Sequence, residues 1–142
     1  MLGFLLGGEM TYYMYENDQL NTFSIDETTY IRMEDQNALP KDSVRIRTRK
    51  LDEIIAEYCG FECPDFMDID IEGYDFETIK NSNMINTMTG PKIIMCEVRP
   101  KELDEFNALL LGKGYYLFCR VWTNNIYIRK DFISLIHKSN KE

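Results

Sequence analysis

The chain has 142 residues, with 24 acidic against 16 basic side chains and a net charge of −8. That length suffices for one domain with one core, and an apolar fraction of 44% with 28% charged residues is that of an ordinary globular protein. So acidic a chain excludes a phosphate-neutralising surface of the nucleic-acid-binding kind: its one basic cluster, Arg45-Arg47-Arg49-Lys50, lies beside Val44 and Ile46 and reads as the polar face of a strand.

The first eight residues are apolar but lack the basic region and cleavage signature of a signal peptide, and nothing approaches a membrane span. A domain that opens in mid-strand predicts missing sequence upstream. Residues 9–15, alternating and rich in tyrosine, predict a strand. Asn17-Asp18 signals a turn, and residues 21–25 the returning strand. The polar stretch 26–43 reads as a loop long enough for a lid or insert, and 44–47 as a short strand. Leu51, Ile54, Ile55 and Tyr58 keep helical spacing, with Asp52 and Glu53 in the first turn and Gly60 at the end.

Residues 64–73 predict a buried strand on Phe66, Met67, Ile69 and Ile71. A helix follows over 74–80, with Phe76 and Ile79 inward. Pro91 leads a second buried strand, 92–98, and Pro100 a helix with Leu103, Phe106 and Leu110 on one face. Strands 115–122 and 126–129 flank Thr123-Asn124-Asn125 as a hairpin, with Trp122 assigned to the core. Strand–helix–strand–helix–strand order indicates an α/β fold with a partly parallel sheet and an antiparallel C-terminal hairpin. The whole chain reads as a single domain, residues 131–142 being a polar tail.

Cys59, Cys63, Cys96 and Cys119 lack zinc or redox spacing and are expected to be reduced core thiols of a cytoplasmic protein. The only histidine, His137, rules out a histidine-based metal site. The densest polar signal is Asp68-Ile69-Asp70-Ile71-Glu72-Gly73. Strand alternation would set Asp68, Asp70 and Glu72 on one side. Three carboxylates are costly on a buried strand but tolerable at its carboxyl end, where open α/β sheets bind ligands. Gly73 then permits a tight turn into the next helix. Glu97, at the end of the neighbouring strand, would present its carboxylate to the same crevice. The plain alternatives are helix capping or lysine pairing for Asp70 and Glu72, and a salt bridge to Arg99 or Lys101 for Glu97.

These residues resemble those of FkbM-type methyltransferases. That family shows a strand ending in a D-V-E-G-like motif, a short helix, and a proline-led strand ending in an E-V-like pair. Asp70-Ile71-Glu72-Gly73, the helix over 76–80, and Pro91 to Val98 with Glu97 correspond. Leu51-Asp52, residues 8–13 with 21–24, Gly114-Tyr115 and Asn125-Ile126-Tyr127 extend the likeness over most of 8–130. Asp68 departs from it, standing where the family often has lysine.

The resemblance implies part of a Rossmann-like class I methyltransferase sheet and S-adenosylmethionine (SAM)-dependent methyl transfer to an oxygen or nitrogen of a small-molecule or sugar acceptor. It casts Asp70 and Glu97 as catalytic and Asp70, Glu72 and Gly73 as cofactor-binding, with no metal. The family's glycine-rich turn after the first strand has no counterpart here. A truncated fold is therefore expected, one that binds the cofactor poorly and associates with itself through an exposed strand edge, with neither nucleic acid nor membrane as partner. Two other readings follow from the residues: an inactive remnant or protein-interaction module, and a metal-dependent glycosyltransferase using Asp68 and Asp70 as a DxD pair.

Overall fold

A computed structural model describes residues 8–23 and 39–133. They form two compact units, one holding the N-terminal strands with residues 71–74, the other residues 51–70 and 75–133. In the first, β1 (Glu9–Met14) pairs antiparallel with β2 (Asp42–Arg47), Glu9 opposite Arg47 and Met14 opposite Asp42. Beyond the ladder, the Lys41 amide donates to the Met14 carbonyl (2.7 Å) and that of Thr48 to the Gly8 carbonyl (2.7 Å). Asn17 accepts from the Gln19 amide and opens a 3-10 turn over Asp18–Leu20.

The returning strand predicted at 21–25 is, in its described part, a single bridge between Tyr13 and Thr22. The cause is Asn21, whose side chain accepts from the Tyr15 amide at 2.8 Å and curls the segment back where a strand would run on. Residues 24 and 25, and most of the expected loop at 26–43, lie outside the described residues; Asp42 and Ser43 belong to β2.

The second unit contains α1 (Leu51–Cys59), β3 (Phe66–Ile69), α2 (Asp75–Asn81), β4 (Ile93–Glu97), α3 (Leu103–Gly112), β5 (Tyr115–Val121) and β6 (Asn124–Arg129). Its sheet has the order β3-β4-β6-β5, with β3 and β4 parallel and the other pairs antiparallel. This is a mixed α/β unit closed by the expected hairpin. Directly paired residues share a face, so the register fixes two surfaces. On one, Met67, Ile94, Tyr127 and Leu117 form a row, and Ile69, Cys96, Asn125 and Arg120 the next. On the other lie Phe66, Ile93, Ile128 and Tyr116, then Asp68, Met95, Ile126 and Cys119, then Glu97, Asn124 and Val121. A bulge between Leu117 and Cys119 inserts Phe118 into β5.

Met67, Ile69, Ile94 and Cys96 are buried, whereas Phe66, Asp68 and Asp70 are exposed. The predicted buried strand is thus buried on one face only, and it forms the sheet edge among the described residues. Phe106 and Leu110 of α3 and Ile79 of α2 are buried, and the Phe76 and Phe106 rings meet edge to face at 5.1 Å. In α1 only Ile55 is buried; Ile54 and Tyr58 are exposed, contrary to the periodicity. Asp52 decides this. It accepts from Ser82 Oγ (2.5 Å) and from the Asn83 amide (2.9 Å). At about 100° per residue, Ile55 lies close to Asp52 around the helix while Ile54 and Tyr58 point away.

The cysteines are all free, but only Cys96 is in the core: Cys59 is exposed and Cys63 and Cys119 are half-buried. Burial pushes the Cys96 thiol far up, with Asp75 and Asp68 adding to it, so this sulfur stays protonated. No described helix is long and apolar enough to cross a membrane.

Gly114 has φ +92°, and a Cβ there would overlap Thr87 Cγ2. Gly114→Ala should therefore cost about 1–3 kcal/mol in urea unfolding; a loss below about 0.5 kcal/mol would show that the turn relaxes freely. Tyr127 is held up to about 12, chiefly by burial, with Cys96 adding and Asn125 opposing. A raised phenol favours the fold below the unfolded value of about 10 and loses that contribution as pH climbs towards 12. Tyr127→Phe should flatten the fall in stability across this window; an unchanged alkaline slope would place the cause elsewhere.

Candidate functional site

The parallel pairing of β3 with β4 sets Ile69 against Cys96. Asp70 and Glu97 each follow by one residue, so their carboxylates stand at the ends of adjacent strands on the open face. Asp68 lies one row back. Asp70 is exposed and Glu97 half-buried, which avoids the desolvation cost of a buried carboxylate. Glu97 is opposite Asn124 of β6, itself opposite Val121 of β5. The Val98 amide donates to the Thr123 carbonyl (2.8 Å), so the hairpin turn abuts the end of β4.

Two predictions about this turn are corrected. It consists of Trp122 and Thr123, with Asn124 and Asn125 inside β6. Trp122, expected in the core, is 90% exposed. Arg120 holds the turn from behind, Nε donating to the Trp122 carbonyl (2.8 Å) and Nη2 to that of Val98 (3.5 Å).

Asp75 is the site residue that sequence reasoning missed. It starts α2, is buried, and accepts from the Glu97 amide at 3.3 Å through Oδ1. An acid two residues after the D-I-E-G glycine, at a helix start, was the available signal. This carboxylate ties the beginning of α2 to the last residue of β4 and so fixes where Glu97 leaves the sheet. Beneath the strand end, Asn125 Nδ2 donates to the Tyr127 hydroxyl (3.1 Å), which donates to Asn107 Oδ1 (2.9 Å).

Glu72 and Gly73 do not continue the strand. β3 ends at Ile69, and the two residues have φ +47° and +96°, so Glu72 cannot share the alternation of Asp68 and Asp70. They form a turn in the first unit, where the Tyr74 amide donates to the Ile71 carbonyl (3.3 Å) and Thr22 Oγ1 to the Glu72 carbonyl (3.2 Å). The structure thus brings Asp70 and Glu97 together at one sheet end and places Glu72 and Gly73 in the other unit.

Among the described residues no group of three or more His, Cys, Asp or Glu is placed to hold a metal ion. Gly90 and Gly114 serve close packing of the chain against itself, at Asn86 with Tyr115 and at Thr87.

An antiparallel strand inserted beside two parallel ones, carboxylates at the parallel ends, and a D-I-E-G turn between strand and helix form a combined pattern that can be compared across families. The model of the methyltransferase FkbM domain matches residues 7–122. The chain belongs to the FkbM methyltransferase family. No curated protein and no solved structure matches it significantly. The match runs from the β1–β2 unit through Asp70, Asp75 and Glu97 to Trp122 and stops before Thr123 and β6.

Asp75 is the anchor on which the position of Glu97 in the FkbM domain turns. Asp75→Ala, which strips an acceptor from a part-buried amide, should cost about 1–3 kcal/mol and speed hydrogen exchange at the Glu97 amide. Asp75→Asn, keeping an acceptor oxygen, should cost less. Equal losses for the two variants would assign the role of Asp75 to its charge instead.

Proposed function

We propose that this FkbM domain takes part in SAM-dependent methyl transfer to an oxygen or nitrogen of a small-molecule or sugar acceptor, on a Rossmann-like sheet of which β3-β4-β6-β5 is one side. The observation that carries this reading is the pair of carboxylates, Asp70 and Glu97, at the ends of neighbouring parallel strands, where open α/β sheets take their ligands. The donor group fits these residues by charge: its sulfonium and ammonium are cationic, and Asp70 and Glu97 supply anionic partners at a half-exposed strand end.

When bound, SAM supplies an electrophilic methyl group. The chain's own residues then position and orient. Asp70 holds the cationic end of the donor. Glu97, its amide fixed by Asp75 and its side chain beside Asn124, orients the acceptor hydroxyl or amine and receives its proton.

Association through the open edge of β3 is supported by the strand order. Asp68 in the middle of that edge sets like charges near each other when two copies pair there, so a strand of different sequence suits it better than a second β3.

Calorimetric titration with S-adenosylhomocysteine tests the reading. Weak one-to-one binding is expected, since the family's glycine-rich turn has no counterpart in the sequence, and it should fall about tenfold or more in Asp70→Asn, a loss of about 1.4 kcal/mol. Binding untouched by Asp70→Asn removes that residue from the site, and no binding at all overturns SAM use by this chain's own residues.

A further inference from the structure

The two-residue turn between β5 and β6 contains a contradiction between sequence and conformation. Trp122, its first residue, has φ +61° while Thr123 is not left-handed. A hairpin turn with positive φ at its first central position ordinarily carries glycine there, because a side chain on a left-handed residue costs about 1–2 kcal/mol. Here the largest side chain in the genetic code occupies it. Nothing is recovered by burial, since Trp122 is 90% exposed. A strained backbone bearing an exposed aromatic is a cost to the fold, and such outliers gather where a ligand is handled.

The surroundings say which ligand. The turn is pinned to the end of β4 by the bond between the Val98 amide and the Thr123 carbonyl and by Arg120 behind it. Trp122 is therefore held on a rigid support at the strand ends that carry Glu97 and Asp70. Its neighbours there, Thr123, Asn124 and Glu97, offer hydroxyl, amide and carboxylate groups, that is, hydrogen-bond donors and acceptors together. An indole face presents an apolar flat surface, and polar side chains beside it hydrogen-bond to groups at a ring's rim. Asp68, Asp70 and Glu97 on the same sheet face oppose an anionic ligand, which argues against phosphorylated or nucleotide rings. A cation would draw on the carboxylates and the indole face but leave the Thr123 hydroxyl and the Asn124 amide unused; the ligand that uses all of these groups is neutral, ring-shaped, apolar on its faces and hydroxylated at its edge.

We propose that Trp122 is a stacking platform for a neutral pyranose, with Asn124 and Glu97 taking the ring's hydroxyls. As the identity of the methyl acceptor this rests on the methyl-transfer reading above; as a sugar-binding site it stands alone. Trp122 is the single tryptophan of the chain, so fluorescence excited at the red edge, where tyrosine does not absorb, reports on this residue only.

Methyl glucopyranoside, methyl galactopyranoside and chitobiose serve as probes of the full chain, with acyclic sorbitol as control. At least one pyranose should shift or quench the emission saturably while sorbitol does not, and Asn124→Ala should weaken that response about fivefold or more. Saturation-transfer NMR should show the sugar contact retained in part by Trp122→Phe and lost in Trp122→Gly. Trp122→Gly should at the same time raise the melting temperature, because it relieves the positive φ; a tryptophan kept for the fold would lower it when removed. S-adenosylhomocysteine titrated into Trp122→Gly should bind as it does to the parent chain, so failure of cofactor binding and failure of sugar binding are read separately. No pyranose response, or a blue shift that grows with protein concentration in the absence of sugar and so reports burial by a second copy, overturns the proposal.

Discussion

Which strand of the C-terminal hairpin lies against β4 governs the whole candidate site. It is β6, and the reason is written in its side chains. Asn125, Tyr127 and Ile128 are buried, so the strand needs neighbours on both sides. β5 leaves Tyr116, Leu117, Phe118 and Val121 exposed and tolerates an edge. Because β6 runs antiparallel to β4, its first residues sit at the carboxyl end of β4. Glu97 thereby acquires Asn124 as its neighbour and the turn arrives at the carboxyl end of β4. Had β5 been inserted instead, a different set of side chains would have faced Glu97.

Local chemistry around that end follows a division of labour between the two carboxylates of the α2 region. Asp75 is buried and accepts a hydrogen bond from backbone; Asp70 is exposed and remains available to solvent. The same residue type thus serves as a structural clamp at one position and as a surface charge five residues earlier. The difference is whether an orphan amide lies within reach.

Much of this was legible beforehand. Periodicity located β3 to β6 and α1 to α3 of the second unit, because Met67, Ile69, Ile94, Phe106 and Leu110 are buried at the spacing their elements demand, whereas residues 131–133, which are helical, were read as the start of a polar tail. The D-I-E-G run and Glu97 were readable as strand-end acids from the same pattern. What escaped was decided by contacts distant in sequence. Asp52 gripping residues 82 and 83 rotated α1 away from its apparent face. Asn21 reaching back to Tyr15 ended a strand that alternation would have continued. Glu72 fell out of line because two consecutive left-handed residues close the turn, and a sequence shows only that the second is glycine. Trp122 was misplaced because the turn's position was set by register.

That register has a cause some residues away. Before Phe118, the pairing of β5 with β6 centres the hairpin on residue 122, and such a register closes only through a loop with an odd number of residues. The single extra residue of the bulge moves the centre to the bond between Trp122 and Thr123 and changes the parity of the loop. The two-residue turn, and with it the left-handed backbone of Trp122, is the arithmetic result of an insertion at the middle of the strand. Bulge and turn are in this sense one device in two places, and a length change of one residue in β5 would reset the geometry beside Glu97 without altering a single side chain there.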